Sequence, residues 1–204
     1  MMEGMGSRAR RGNPVWRARA AATMVGPVCV LLAGCSDGGS PDRPPDQSAV
    51  ALQIRIVSGA RGIDDRERAE AEQEIGDVLS AYVVSGFLGD YPREDFVQSF
   101  DSFTNGAARS AARDIDLLTA ARFGDASTVT ARRLTAAISC LAKDGNVVGA
   151  TARVTLAFEA SGLAGGTRTI KLSGRFMLVK DHATWNVFGY DVARADAPGT
   201  GQTS

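Results

Sequence analysis

Few side chains in this sequence could do chemistry. There is a single histidine, His182, and three cysteines, Cys29, Cys35 and Cys140. A metal site needs several His, Cys or carboxylate ligands at short spacing, and no His pair, Cys pair or dense Asp/Glu loop occurs. No metal centre is expected. A phosphate-cradling glycine loop would join a strand to a helix, whereas Gly162-Leu163-Ala164-Gly165-Gly166 lies between two strand-like runs. No cofactor is expected either. His182 stands in Lys180-Asp181-His182-Ala183, a hairpin-turn composition in which a solvated imidazole is much commoner than a catalytic base. Cys140 falls on the apolar side of its run and reads as a buried, inert thiol. Two carboxylates stand where they could reach an interior. Asp101 lies between Phe100 and Phe103, on what reads as the wet side of a helix. Asp191 shares strand parity with Trp185 and Val187, close to a strand end. No catalytic residue is expected from this set. The remaining candidate is apolar. Tyr82, Phe96, Phe100, Phe103, Phe158, Phe176 and Trp185, with Asp191, could line a pocket for a small apolar ligand, although aromatics at such spacings also make ordinary core.

Cys35 has a different context. Five arginines precede Ala20, and Ala20 to Gly34 then carry no charge before Cys35 and the polar run Ser36-Asp37-Gly38-Gly39-Ser40-Pro41. Fifteen uncharged residues are too few for a spanning helix, which needs roughly 20, but they suit the core of a signal peptide. Leu32-Ala33-Gly34-Cys35 resembles the lipobox of bacterial lipoproteins at all four positions. The resemblance implies cleavage between Gly34 and Cys35, and a diacylglyceryl thioether on the Cys35 sulfur. It places the protein on the extracytoplasmic face of the cell membrane, held there by lipid. Residues 1–34 are then a leader and 35–48 a flexible tether, because Pro41, Pro44 and Pro45 stand among polar residues with no apolar surface to bury.

Composition narrows the function classes. The chain has 204 residues, 44% hydrophobic and 23% charged, the profile of a globular protein with one domain and tails. Beyond residue 34 there are 18 basic and 22 acidic residues and no Lys/Arg run, which argues against nucleic acid as a partner. With Cys35 lipidated and Cys29 in the leader, only Cys140 remains, so no internal disulfide is expected.

The elements that must position the candidates follow from periodicity. Leu52, Ile54 and Ile56 alternate as a short strand. Asp64-Asp65-Arg66-Glu67 has the form of a capping box, with Asp64 satisfying early amides and Glu67 reaching back. Ala71, Ile75, Val78, Leu79, Tyr82 and Val83 then recur at helical spacing. A second helix is expected behind Pro92, carrying Phe96, Phe100 and Phe103, with Asn105-Gly106 interrupting before a third from Ala107 to Phe123. From Val129 the period becomes two. Four strands follow, joined by turns at Asp144-Gly145-Asn146, Gly162–Gly166 and Lys180–Ala183. The expectation is a single α+β domain over residues 49–195, with about three N-terminal helices on one face of a curved antiparallel sheet of four or more strands, and a disordered tail at 196–204. Helices first, then long strands ending in Trp185-Asn186-Val187 and Tyr190-Asp191-Val192, resemble the nuclear transport factor 2-like superfamily, and its mammalian-cell-entry-associated members in layout. That resemblance implies a cone between helices and sheet, but not what the cone does.

Two functions are compatible with these readings. One is a non-enzymatic accessory or interaction factor of the cell envelope with a protein partner. The other is a small apolar ligand or lipid-binding domain using the helix–sheet cavity.

Overall fold

The computed structural model describes residues 50–199. The expected leader and tether, with Gly34 and Cys35, lie outside the described residues. The first element is strand β1, Gln53–Ser58, followed by the long helix α1, Asp65–Phe87. Short pieces come next: a 3₁₀ turn at Val97–Phe100, helix α2 at Asn105–Arg113, the single turn α3 at Ile115–Leu118, and a 3₁₀ turn at Ala121–Phe123. Strands β2 (Thr128–Lys143), β3 (Asn146–Ser161), β4 (Arg168–Asp181) and β5 (Thr184–Pro198) complete the domain. It is an α+β fold around one open five-stranded sheet in the order β1-β2-β3-β4-β5.

The sheet is mixed, which corrects the expected all-antiparallel arrangement. β2 to β5 form an antiparallel meander, but β1 runs parallel to β2, with Ile54 opposite Ala136 and Ile56 opposite Ile138. The reason is the connection. The helical segment carries the chain back along the sheet between β1 and β2, so the second strand enters in the direction of the first. Asp144 and Gly145 form the two-residue turn between β2 and β3, both at positive φ (52° and 81°), the backbone that matches the twist of the flanking strands.

The helices also differ from expectation. At α1 the Asp64 carboxylate accepts the Glu67 N–H at 2.7 Å, as the capping pattern requires. Glu67 does not reach back, however: its carboxylate accepts the Val147 N–H at 2.7 Å and ties the start of α1 to β3. The expected second helix is reduced to the turn Val97–Phe100. Asn105-Gly106 opens α2 rather than interrupting a helix, because Thr104 caps it by accepting the Ala107 N–H. The expected 107–123 helix stops at Asp114 and again at Thr119. The buried Thr119 hydroxyl donates to the Ile115 carbonyl and accepts from the Ala121 N–H, replacing helical bonds with a turn.

One face of the sheet supplies the core. Leu134, Ile138, Leu156, Phe158, Leu172, Phe176, Trp185 and Val187 are buried in the same cluster as Ile75, Leu79, Tyr82, Val83 and Phe87 of α1. The opposite face alternates outward with Thr151, Arg153, Lys171, Ser173 and Arg175. β5 breaks its alternation once. Leu178 pairs with Val187 and Met177 with Gly189, so Phe188 is an extra residue and stands exposed. Beyond this bulge Tyr190 and Arg194 turn inward. β5 also continues to Pro198, opposite Arg168, past the expected domain end at 195.

Candidate functional site

Seven of the eight residues expected around a pocket are brought together, and their rings pack against one another. Tyr82, Phe96, Phe100, Phe103, Phe158, Phe176 and Trp185 are all buried in one core. The Phe87 ring stacks on Phe158 at 4.2 Å between centroids, and Tyr82 meets Phe176 edge-on at 5.0 Å. Phe103 lies against Phe100 at 5.2 Å and against Phe176 at 6.2 Å. Such edge and offset contacts are those aromatic rings prefer when they pack on each other. The Tyr82 hydroxyl donates to the Leu118 carbonyl, and burial pushes this phenol well above its ordinary range despite the nearby Arg194 charge. The Tyr82 O–H is thus committed to holding α3.

Two polar clusters edge this core. Glu74 of α1 accepts from Lys180 Nζ at 2.7 Å and from Trp185 Nε1 at 2.8 Å, both on one carboxylate oxygen. Burial alone would raise the Glu74 carboxyl; the hydrogen bonds from Lys180 and Trp185 and the Lys180 charge outweigh it and hold the carboxyl below its ordinary value. At the other end, Arg194 is nearly buried, with 5% of its side chain exposed. Its guanidinium donates to the carbonyls of Asp116 and Thr119 and to Asp196, and lies 5.5 Å over the Phe123 ring. Its Nη2 is buried with no partner among the described residues.

Asp191 is not in the core. The bulge at Phe188 reverses the parity on which its interior placement depends, and Asp191 emerges on the outer face beside Arg175, at 2.5 Å. Tyr190 takes the inward position instead and donates to Asp114 at 2.7 Å. Burial, then the bond to Asp114, pushes the Tyr190 phenol up to about 12.

Asp191 there joins residues that composition did not single out. Arg153 is directly opposite Arg175 across β3 and β4, and Arg175 is opposite Asp191 across β4 and β5. In the same row Ala137 separates Arg153 from Arg55 of β1. Like charges directly opposite each other cost up to roughly 1 kcal/mol in a sheet. A solvent-facing cavity of about 380 Å³ lies beside this pair, lined by Arg153, Thr155, Ser173, Arg175 and Asp191 among others. The signal for it was present in the alternation: Arg153 and Arg175 both fall on the wet parity of adjacent strands. Seeing them opposite each other requires the register.

The other candidates are dispersed. His182 is at the tip of the β4–β5 hairpin, with 96% of its side chain exposed and φ at 54°. Asp101 is exposed just after the Val97–Phe100 turn. Cys140 is half-buried on β2, and burial, then the Glu72 charge, pushes its thiol up, away from the nucleophilic thiolate. Among the described residues no group of three or more His, Cys, Asp or Glu side chains could hold a metal ion, and no helix is long and apolar enough to cross a membrane. Comparison with known proteins finds no matching family model, no matching curated protein and no matching solved structure.

Proposed function

We propose that this protein is a lipid-anchored component of the extracytoplasmic face of the cell membrane, and that its folded domain is a non-enzymatic interaction module for another envelope protein. The anchor rests on Leu32-Ala33-Gly34-Cys35 at the end of a short uncharged run, followed by a proline-containing polar tether. The observation that carries the reading of the domain is the aromatic interior. Its rings are spent on each other and on helix carbonyls, which favours a rigid scaffold presenting its surfaces over a container for an apolar ligand. The order of helices before strands supports a nuclear transport factor 2-like cone as the architecture of this module, with β1 added as a parallel edge strand.

Two measurements test the proposal. Metabolic palmitate labelling marks the wild type and misses Cys35→Ala; equal labelling of both refutes the anchor. Crosslinking in intact cells, followed by native mass spectrometry of the purified protein, yields one stoichiometric protein partner and no apolar ligand retained in the core. A retained apolar ligand without a partner decides for the ligand-binding alternative.

A further inference from the structure

Like charges side by side on adjacent strands are ordinarily avoided, and one carboxylate cannot neutralise the row in which Arg153 and Arg175 stand. Asp191 holds Arg175 from the β5 side, while Arg153 forms no ion pair among the described residues. Arg55 of β1 stands in the same row, separated from Arg153 by Ala137. The remaining charges on this face do not compensate. Lys171 adds a further cation, and Glu159 is engaged by Arg132 at 2.6 Å. The neighbouring row contributes hydroxyls, with Thr155 of β3 opposite Ser173 of β4. Between Ser173 and Arg175 stands Gly174 at φ 148°, where a Cβ would collide with the backbone of Asp191 and Val192. Gly174 thus lets β5 approach closely at this point, and it lines the cavity of about 380 Å³ together with Asp191 and Val192.

We propose that this outer-face cavity binds a phosphate group, with Arg153 and Arg175 as its two cationic walls and Thr155 and Ser173 as additional donors. Planar guanidinium forks offer paired N–H donors that match oxyanions, and a phosphate presents enough oxygens to engage both forks and the hydroxyls together. Its charge relieves the repulsion between the two arginines, which a neutral ligand would not. Asp191, which also lines the cavity, orients Arg175 from the β5 side, the side away from Arg153. The site lies on the face opposite the aromatic core and is independent of what that core does. A phosphate at this place can come from a soluble phosphoester or from the headgroup of an anionic lipid.

The test uses the full chain in neutral detergent micelles, titrated with glycerol phosphate. Calorimetry gives the affinity, and amide NMR gives the location. The expected result is saturable binding with shifts confined to residues 153–155, 173–175 and 191–193. Arg153→Gln and Arg175→Gln each weaken binding at least fivefold while keeping native amide dispersion, and Lys143→Gln, in the β2–β3 hairpin, leaves it unchanged. Repeating the titration in phosphatidylcholine vesicles with and without phosphatidylglycerol separates the sources. Competition by the anionic lipid assigns the site to a headgroup, and an unchanged affinity assigns it to a soluble phosphoester. Absence of saturable binding, or an equal loss in Lys143→Gln, overturns the proposal.

Discussion

Trp185 Nε1 donates to Glu74 at 2.8 Å, and the same carboxylate oxygen accepts Lys180 Nζ at 2.7 Å. Trp185 and Lys180 are opposite each other at the end of the β4–β5 hairpin, so a single oxygen of α1 secures both strands. The Trp185 and Glu74 side chains come from positions 111 residues apart, which makes this a tertiary contact that forms only when helix and sheet dock. The indole body is buried with Val187 in the core, while its N–H reaches the polar rim. A large apolar side chain with one satisfied donor suits such a boundary.

Removing that side chain should be costly. Trp185→Ala is expected to destabilise the domain by about 3–5 kcal/mol, through lost area and the cavity left behind. Trp185→Phe keeps most of the apolar surface and loses the donor to Glu74, and should cost about 1 kcal/mol. Urea unfolding of both variants checks this, and equal costs would mean that the hydrogen bond, not the packing, carries the residue's weight.

The Glu74 cluster also has a pH signature. Its carboxyl sits below its ordinary value of 4.5, so it contributes stability that is complete above that value and is lost as pH falls through the depressed folded one. Lys180 is shifted the other way, raised above 10.5 chiefly by its hydrogen bond to Glu74; its contribution is complete below that pH and is lost as pH rises through the higher folded value. Glu74→Gln should therefore cost about 1 kcal/mol at neutral pH and progressively less as the wild-type carboxyl protonates in acid. Denaturant midpoints measured from pH 3 to pH 8 give the answer; a gap that stays constant across that range would contradict the assignment.

The fold class was legible in the sequence because the change of hydrophobic period near Val129 is strong, and the Asp144-Gly145 turn has a composition that dictates its backbone. The segment from Pro92 to Phe123 was not. Its apolar residues recur at helical spacing, but the buried Thr119 hydroxyl diverts the backbone bonds into a turn, and Phe96, Phe100 and Phe103 enter the core from a loop and a 3₁₀ turn. The parallel pairing of β1 was hidden as well, since alternation gives a strand its faces and not its neighbour. Asp191 shows the same limit from another side. Parity counting from Trp185 is sound until a residue is inserted, and the bulge at Phe188 has no composition of its own to announce it. The outer-face arginines were visible as wet positions, and only the register makes them a pair.

At the hairpin tip His182 holds φ at 54° with its imidazole in solvent. His182→Ala is expected to change stability by less than about 0.5 kcal/mol and to leave cellular function intact. His182→Gly, free of a Cβ in the left-handed region, should be neutral or stabilising by several tenths of a kcal/mol. Thermal unfolding and complementation of a deletion strain check both variants. A folded His182→Ala protein that fails to complement would place chemistry at the hairpin and defeat the non-enzymatic reading.

Arg194 is one of the residues that the bulge turns inward, and its role is to hold irregular backbone against β5. Its guanidinium caps the carbonyls of Asp116 and Thr119, where the chain leaves α3 and helical partners run out, while its Nε bonds Asp196 at 2.7 Å. Arg194→Met retains the aliphatic stem and contact with Phe123, but leaves those carbonyls without their charged donor. The expected cost is about 2–4 kcal/mol, most of it the desolvation of acceptors left unpaired. Arg194→Lys should recover less than half of that, because one ammonium cannot span both carbonyls and Asp196 in the geometry of the planar fork. Hydrogen exchange adds the spatial test: amides of residues 115–123 should exchange faster in Arg194→Met, with β2 and β3 unaffected at low denaturant. If Arg194→Met unfolds within about 0.5 kcal/mol of wild type, the segment is held by Leu118 and Tyr82 alone and the arginine is dispensable.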